Sequence, residues 1–258
     1  MFPVLFRIGS FEVYAYGVTL AIAFTVGALS LARQGKEVGL PEEKLLDLTI
    51  WIMVAAVVGS RLLYVLLELP VYLADPLAVF NVRSGGLSFH GGLIAGVVVG
   101  LWFARRNSLP QGKVADLVAP YLALGYAIVR IGCLLNGCCY GSPTDLPWAL
   151  PSAYVDNTLR HPTQIYAFLA ALLIFLLLLY RRRKIRFEGQ LLLEFVMFYS
   201  IYRFMVEFFR EVSSYVGFLT LGQAASLLGA VAAFVAIRVW PTGLPSFLQK
   251  PSRIVIRV

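Results

Sequence analysis

Charged side chains that could bind an anionic group occur within the apolar runs of this sequence. Arg61, Arg130, Arg203 and Arg210 each lie within or at the end of such a run. An arginine in the middle of a membrane costs about 2.5–3.5 kcal/mol on insertion scales, so it normally has a partner or a function. Glu68, on the same helical face as Arg61, is expected to neutralise it. Because a guanidinium fork matches phosphate oxygens, the other arginines indicate a site for an anionic lipid headgroup.

The stretch "FYSIYRFMVEFFRE" concentrates this chemistry. Its polar residues Tyr199, Arg203, Glu207 and Arg210 have the spacing i, i+4, i+8 and i+11, which is one face of an α-helix. One interpretation is a ladder of salt bridges that joins helices, and the other is a cationic wall of a cavity. Glu207 and Glu211 can neutralise only part of the positive charge of this region.

His90 lies between two glycine pairs in "SGGLSFHGGLIAG". The glycines permit close approach of another backbone. A histidine in such apolar surroundings is either a hydrogen-bonded core residue or a catalyst. Its unperturbed pKa of about 6.5 suits a proton acceptor or a neutral donor.

The stretch "RIGCLLNGCCYG", residues 130–141, holds all three cysteines of the chain. The C-x4-C-C spacing does not match the usual pairs of zinc ligands, which argues against a metal site. In an oxidising compartment, Cys133 could form a disulfide with Cys138 or Cys139. The other interpretations are small packing residues at a helix end and a reactive thiol, whose pKa the nearby arginine would lower.

More polar residues fall at the same ends of the apolar runs as Arg130 and Arg203. They are Tyr16 in "YAYG", the group Arg160, His161 and Gln164 in "RHPTQIY", and the pair Gly222 and Gln223 in "LTLGQ". This convergence predicts a site at one level of the membrane, on its outer side.

The elements that position these residues are apolar helices. The chain of 258 residues is 59% hydrophobic and 14% charged, whereas a soluble domain has about a quarter charged residues. Runs long enough to span a bilayer, about 20 residues each, lie near residues 13–33, 47–69, 87–104, 114–135, 164–180, 188–210 and 218–238. The sequence therefore predicts an all-α membrane protein with seven transmembrane helices.

The basic residues predict its orientation. Most of the 22 lysines and arginines lie in alternate connections, such as "RRRKIR" at residues 181–186. By the positive-inside rule the N-terminus is outside and the C-terminus is cytoplasmic. The net charge of +8 is then a topology signal, and we expect no nucleic-acid partner.

The N-terminal residues predict a short extracytoplasmic element. The stretch "VLFRIGSFEVYAYG" alternates apolar and polar residues around Gly9, which is typical of a hairpin. No cleavage site of the signal-peptide type precedes the first run, so that run is expected to remain as an anchor.

Taken in order, seven motifs resemble the prolipoprotein diacylglyceryl transferase family. They are "YAYG", "GSRLLYVL", "GGLSFHGGLIAG", "DLVAPYLALGYAIVRIG", "RHPTQIY", "FYSIYRFMVEFFRE" and "LTLGQ". The "SFHGG" block and the R-x-G-x-x-x-N-G pattern are the specific ones. The resemblance covers most of the chain.

The resemblance implies a fold and a site. It implies one integral membrane domain over residues 1–258, with a small outward-facing head segment at residues 137–163 between the fourth and fifth spans. Together with the polar residues described above, the resemblance predicts catalytic roles for His90, Arg130, Arg203 and Tyr199. It predicts substrate binding by Tyr16, Arg61, Asn136, Gly141, Glu207, Arg210 and Gln164. The site would face the periplasm and the outer leaflet of a bacterial inner membrane.

Members of this family transfer a diacylglyceryl group from phosphatidylglycerol to the lipobox cysteine in a prolipoprotein signal peptide. A thioether forms and glycerol phosphate leaves. The leaving phosphate needs cations, which Arg130 and Arg203 could supply. The acceptor thiol, with a free pKa of about 8.5, needs a base such as His90. The resemblance implies no cofactor and no metal.

The chain departs from the family pattern at three positions. Cys133 and Cys138 replace an asparagine and a glutamate of the signature R-x-G-N-x-x-N-G-E, and Ala167 replaces the last residue of "HPSQLYE". These departures keep two alternatives open. One is a paralogue with the same lipid pocket but different thiol or acceptor chemistry, and the other is a non-enzymatic lipid-binding or transport protein.

Overall fold

A computed structural model of the chain describes residues 2–9, 11–81, 85–151, 157–211 and 215–243. The described residues are mainly helical, with short two-stranded antiparallel sheets. Two compact units divide the chain. Unit 1 comprises Met1–Ser30 with Gly112–Val258, and unit 2 comprises Leu31–Gln111. The single integral domain over residues 1–258 stays a prediction.

The hairpin predicted near Gly9 is present. Its strands β1 (Val4–Ile8) and β2 (Phe11–Tyr14) lead into helix α1 (Ala15–Glu37). Arg7 lies opposite Glu12 in the register, and Nη2 of Arg7 is 2.7 Å from Oε1 of Glu12. The backbone N–H of Ala15 donates to the carbonyl of Pro3 at 2.8 Å, which ties the hairpin to the start of α1.

Unit 2 is built on two long helices with a folded connection. Its elements are α2 (Glu42–Leu67), α3 (Leu69–Ala74), a 3-10 turn (Pro76–Phe80) and α4 (Phe89–Arg106). α2 and α4 cross where glycines remove the side chains. A Cβ on Gly59 would lie 2.6 Å from the carbonyl oxygen of Gly91, and a Cβ on Gly91 would collide with the backbone of Gly59. The close backbone approach expected beside His90 is therefore present.

The rest of unit 1 follows in chain order. Its elements are α5 (Gln111–Asn136), β3 (Leu150–Pro151), β4 (Leu159–Arg160), α6 (Thr163–Arg181), a 3-10 turn (Arg182–Lys184), α7 (Gln190–Val206), a 3-10 turn (Glu207–Phe209), β5 (Tyr215–Val216), β6 (Leu219–Thr220) and α8 (Leu221–Gly243). α5 ends at Asn136 and α6 begins at Thr163, and the head segment at residues 137–163 stays a prediction. The side of the membrane that this segment faces stays a prediction.

The core of unit 1 lies between α5, α6 and α7. Ala119 and Ala123 of α5 are buried with Ile174 and Leu178 of α6 and Leu191 of α7. Because alanines are small, α5 can approach the larger side chains of its neighbours. This packing fixes the helices that carry the polar residues of the predicted site.

Helix α7 ends earlier than the apolar pattern predicts. The α-helix stops at Val206 and continues as a 3-10 turn to Phe209, after which Arg210 is extended, with φ −109° and ψ 147°. The predicted α-helical face therefore does not extend to Arg210. The apolar run continues through Phe208 and Phe209, so composition alone does not mark this end.

Within the described residues, five helices are long and apolar enough to cross a membrane. They are Ala15–Glu37, Glu42–Leu67, Gln111–Asn136, Thr163–Lys184 and Leu221–Trp240. Their outward apolar side chains, such as Leu66, Leu173 and Leu228, are 65%, 67% and 71% exposed, which suits a lipid environment. The chain is a multi-pass membrane protein. The seven spans and their orientation stay predictions.

Candidate functional site

Glu207 is the centre of the polar cluster at the end of α7. Its side chain is buried, and Oε2 accepts a hydrogen bond from Nη1 of Arg203, one helical turn earlier. Nε of Arg210 lies 3.9 Å from the same oxygen. Both arginines are about a quarter to a third exposed. Among the described residues, one carboxylate thus serves both guanidiniums, and positive charge remains.

The other oxygen of Glu207 is tied to the start of α8. Oγ1 of Thr220 donates to Oε1 of Glu207 at 3.1 Å. Thr220 and Gln223 also form a reciprocal cap: the N–H of Thr220 donates to Oε1 of Gln223, and the N–H of Gln223 donates to Oγ1 of Thr220, both at 3.0 Å. Thr220, the residue before helix α8, therefore holds the Glu207 carboxylate, and through it both arginines, in place.

Arg130 of α5 belongs to an aromatic cluster instead. Its Nη2 donates to the hydroxyl of Tyr126 at 2.6 Å, and its Nε is buried without a hydrogen-bond partner among the described residues. The ring of Tyr126 contacts those of Tyr199 and Tyr202 of α7, with centroids 5.3 and 6.3 Å away. The charges of Arg130 and Arg203 both act on Tyr199. The structure thus brings three of the predicted catalytic residues together in unit 1.

The cysteines lie at the end of α5 and in the turn after it. Cys133, Cys138 and Cys139 are free thiols, and their sulfur atoms all lie within 4.8 Å of one another. The neighbouring Cys133 and Cys138 thiols and the Arg130 and Arg210 guanidiniums stabilise the Cys139 thiolate, so the pKa of the Cys139 thiol is below its usual range. The cysteine cluster is therefore next to two of the predicted phosphate ligands.

Other predicted binding residues surround this turn. Tyr16 of α1 is 40% exposed and lies within electrostatic range of Arg130 and all three cysteines. Asn136 hydrogen-bonds the Cys138 side chain, and Nε2 of Gln164 donates to the Cys138 carbonyl at 2.7 Å. Gly141 is buried, and a Cβ there would collide with the carbonyl oxygen of Phe209 and lie 2.7 Å from Cβ of His161. A glycine at that position therefore lets this connection pack against the 3-10 turn after α7.

Arg61 and His90 belong to unit 2. All five N–H groups of the Arg61 guanidinium donate to backbone carbonyls, those of Ala78, Val79, Asn81, Gly85 and Gly86, at 2.6–3.1 Å. The expected partner Glu68 takes none of them, because the chain after α3 folds back over the guanidinium. The structure therefore gives Arg61 a role in holding this connection, and its part in substrate binding stays a prediction.

His90 is the second residue of α4 and is exposed. The edge-on contact with Phe89, whose ring centroid is 5.7 Å away, leaves much of the imidazole open. The catalytic role of His90 stays a prediction.

Two acids at the far end of α7 have structural roles. Asp116 accepts hydrogen bonds from the N–H groups of Gly189 and Leu191 at 2.8 and 2.7 Å, which caps the start of α7. Glu194 accepts two hydrogen bonds from Arg181, at 2.5 and 3.0 Å. A cavity of about 320 Å³ at that end is lined by residues including Arg181, Arg186, Gln190, Glu194, Phe234 and Arg238. It lies at the opposite end of α7 from Arg203.

Sequence reasoning missed three residues that organise the site. Tyr126 could have been found, because it precedes Arg130 by one helical turn in an apolar run. Thr220 could also have been found, because Thr220 and Gln223 have the T-x-x-Q spacing of a capping box. Thr163, whose Oγ1 donates to the Cys139 carbonyl, carries no such signal, since its partner is distant in sequence and meets it only in the folded chain.

Comparison with known proteins matches the chain over nearly its whole length. The family model described as prolipoprotein diacylglyceryl transferase matches residues 3–239. Three relatives carry the name phosphatidylglycerol–prolipoprotein diacylglyceryl transferase. The protein of Polynucleobacter necessarius is 39% identical, covering 85% of this chain and 87% of the relative. The protein of Bordetella parapertussis is 40% identical, and the match covers 85% of this chain and 86% of the relative. The protein of Finegoldia magna is 34% identical, and the match covers 90% of this chain and 93% of the relative. On this similarity, the chain belongs to the prolipoprotein diacylglyceryl transferase family.

Proposed function

We propose that the protein transfers the diacylglyceryl group of phosphatidylglycerol to the lipobox cysteine thiol of a prolipoprotein. The observation that carries this proposal is the charge balance of the cluster in unit 1. Among the described residues, Glu207 is the one carboxylate paired with Arg203 and Arg210, and Arg130 has a tyrosine instead of an acid. The relatives' names favour this transferase over a lipid-binding or transport protein.

A surplus of cations should accelerate this transfer reaction, because negative charge develops on the leaving phosphate. The thiolate sulfur forms a bond to the glycerol carbon of the diacylglyceryl group, and the bond from that carbon to the phosphate oxygen breaks. The phosphate leaves with the bonding electrons, so its charge grows from about −1 to −2 during the step. Guanidiniums that are held in place therefore bind the transition state more strongly than the substrate, which accelerates the reaction.

The predicted site residues have distinct roles in the proposed reaction. Arg130, Arg203 and Arg210 hold the phosphate, and Tyr199 supplies a hydroxyl at the same wall. His90 takes the thiol proton, because imidazole is the side chain that most often serves as a general base. Tyr16, Asn136, Gly141 and Gln164 shape the side of the pocket formed by the turn after α5. No step calls for a metal or cofactor.

The proposed location follows from the charges of the connections. α4 and α7 serve as the two further spans, which makes seven, with the N-terminus outside and the C-terminus cytoplasmic. The site then faces the periplasm from the inner membrane, where phosphatidylglycerol and prolipoprotein signal peptides are its partners. Reporter fusions after α5 and α6 test this orientation, since an external reporter should be active only after α5.

Complementation tests the function. A strain depleted of its own transferase should process prolipoprotein again when it expresses this chain. The purified protein should also add the mass of one diacylglyceryl group to a lipobox peptide in vesicles that contain phosphatidylglycerol, but not in vesicles of phosphatidylcholine alone. A well-expressed chain that neither rescues the strain nor modifies the peptide would contradict the proposal.

A further inference from the structure

The three cysteines form a cluster that the transfer reaction does not use. Cys133 is buried at the end of α5, whereas Cys138 is partly buried and Cys139 is exposed. All three sulfur atoms lie within 4.8 Å of one another. Around a Zn(II) ion with Zn–S bonds of about 2.3 Å, sulfur atoms are about 3.8 Å apart. Small rotations of the two less buried side chains would therefore bring the cluster to ligand geometry.

The backbone around the cluster is specialised. Gly137 has φ +68°, which ends α5 as a glycine usually does, but Cys139 also has a positive φ, +61°. A left-handed conformation is unfavourable for a residue with a Cβ, and such residues concentrate at functional sites. This turn directs both Cys138 and Cys139 back toward Cys133, whose carbonyl accepts hydrogen bonds from the N–H of Cys138 at 3.1 Å and its thiol at 3.7 Å.

Helix α6 holds this turn from outside. Oγ1 of Thr163 donates to the Cys139 carbonyl at 2.5 Å, and Nε2 of Gln164 donates to the Cys138 carbonyl at 2.7 Å. Both donors are buried. Groups of this kind, one shell beyond the ligands, fix the orientation of metal-binding side chains. The cluster is therefore held in place before any ligand arrives.

The surrounding charge favours an anionic complex. Three thiolates with one divalent or monovalent cation carry a net negative charge, and the guanidiniums of Arg130 and Arg210 act on Cys139. We propose that Cys133, Cys138 and Cys139 bind one thiophilic metal ion, Zn(II) or Cu(I), as three thiolates. The three thiol protons pass to solvent on binding. The C-x4-C-C spacing argues against a metal site, but spacing alone does not show that the turn brings the three sulfur atoms together.

Both ions fit the same ligands. Cu(I) accepts three thiolates in a plane, and Zn(II) accepts three thiolates with a water in the fourth position. The exposed side of Cys139 provides the route of entry. Soft sulfur ligands without a carboxylate disfavour Mg(II) and Ca(II), which prefer oxygen.

The test uses the full chain, reduced and purified without oxygen in detergent. Co(II) alone should produce a thiolate-to-metal charge-transfer band that saturates at one equivalent, and Zn(II) should displace it. Cu(I), delivered from a coloured chelator, should compete for the same site. Zn(II) or Cu(I) should each protect all three thiols together from iodoacetamide, as read by mass spectrometry. The ion that competes at the lower concentration identifies the preferred metal.

Variants separate ligands from neighbours. Loss of a group that holds a metal ligand in place typically weakens metal binding by 10–100-fold, so Gln164→Ala should weaken it by about 10-fold. Loss of a ligand itself should weaken it by more than this range in each of the variants Cys133→Ser, Cys138→Ser and Cys139→Ser. Ser142→Ala, three residues beyond Cys139, is the control and should leave binding unchanged. No charge-transfer band, a band unaffected by the serine variants, or thiols that are protected one at a time would overturn the proposal. Even if a serine variant does not fold, protection of the three thiols from iodoacetamide in the unaltered chain still tests whether they bind one metal ion.

Discussion

Arg130 and Tyr126 are in contact in two ways. Nη2 of Arg130 donates to the Tyr126 hydroxyl at 2.6 Å, and the guanidinium carbon lies 4.5 Å from the centroid of the same ring. The ring therefore supports the guanidinium by a cation–π contact while the hydroxyl fixes its rotation. Because Tyr126 also contacts Tyr199, this pair joins α5 to α7 at the site.

Tyr126→Phe should lower the transfer rate while the protein stays folded. The phenylalanine keeps the ring under Arg130 but removes a hydrogen bond from a charged group, which contributes about 1.5–3 kcal/mol. We expect kcat/KM for phosphatidylglycerol to fall by about 10-fold. Tyr180→Phe, which removes an exposed hydrogen bond from Lys184, is the matched control. Equal rates for both variants would show that the hydroxyl of Tyr126 has no part in the site.

Glu207→Gln should destabilise the protein. The amide keeps the size of the buried side chain but leaves the partly buried guanidiniums of Arg203 and Arg210 without their carboxylate. Breaking a buried ion pair costs about 3 kcal/mol or more. Glu12→Gln, in the exposed pair with Arg7, should cost less than about 1 kcal/mol. Thermal unfolding in detergent measures both. Similar midpoints for the two variants would contradict the view that Glu207 organises the end of α7.

Arg61→Lys should loosen the connection between α3 and α4. A lysine ammonium has three donors, so it can replace at most three of the five hydrogen bonds that Arg61 makes. We expect faster backbone hydrogen exchange at residues 76–81 and a loss of about 3 kcal/mol of stability, since at least two charged hydrogen bonds disappear. Arg105→Lys, at the exposed end of α4, should change neither. If exchange at 76–81 is the same in both variants, the hydrogen bonds do not hold this connection.

The sequence predicts part of this arrangement and misses the rest for identifiable reasons. The i, i+4 spacing of Arg203 and Glu207 is a local property of a helix, so the ion pair follows directly from the sequence. Glu68, seven residues after Arg61 on the same helical face, is the partner that the sequence predicts for Arg61, and this prediction is wrong. The real partners of Arg61 are carbonyls of a connection that folds back, and a backbone carbonyl has no signature in the sequence. The meeting of the three sulfurs likewise depends on two positive φ angles and on hydrogen bonds from α6, which no spacing rule contains.

Gly91→Ala should separate α2 from α4. A Cβ there would lie 2.6 Å from Cβ of Leu63 and would collide with the backbone of Gly59, so the helices must move apart. Overpacking of this kind costs about 1–3 kcal/mol. Gly96→Ala, on the same helix, would place its Cβ 3.5 Å from Cγ2 of Ile52, an ordinary contact, and should be neutral or slightly stabilising. A thermal midpoint for Gly91→Ala at or above that of Gly96→Ala would contradict the close crossing.

Variants of Arg203 test whether its positive charge stabilises the leaving phosphate. Arg203→Ala should lower the transfer rate by about 100–1,000-fold, the usual loss when one group that stabilises a developing anion is removed. Arg203→Lys keeps the charge but loses the fork, so it should recover part of that loss. Radiolabelled phosphatidylglycerol and a lipobox peptide measure transfer, and membrane fractionation checks insertion.

The control for Arg203 is Arg186→Ala, which removes the same charge from the cavity at the other end of α7. If charge near the phosphate is what matters, this variant should keep its transfer rate, because solvent and salt screen a cation that far from the cluster. A merely structural Arg203 would give a different pattern. The transfer rate would then fall and recover in step with stability in the alanine and lysine variants, and the alanine variant would lose helix content along with turnover. Full turnover by a stably inserted Arg203→Ala protein would remove Arg203 from the phosphate site and leave Arg130 and Arg210 to hold the leaving group.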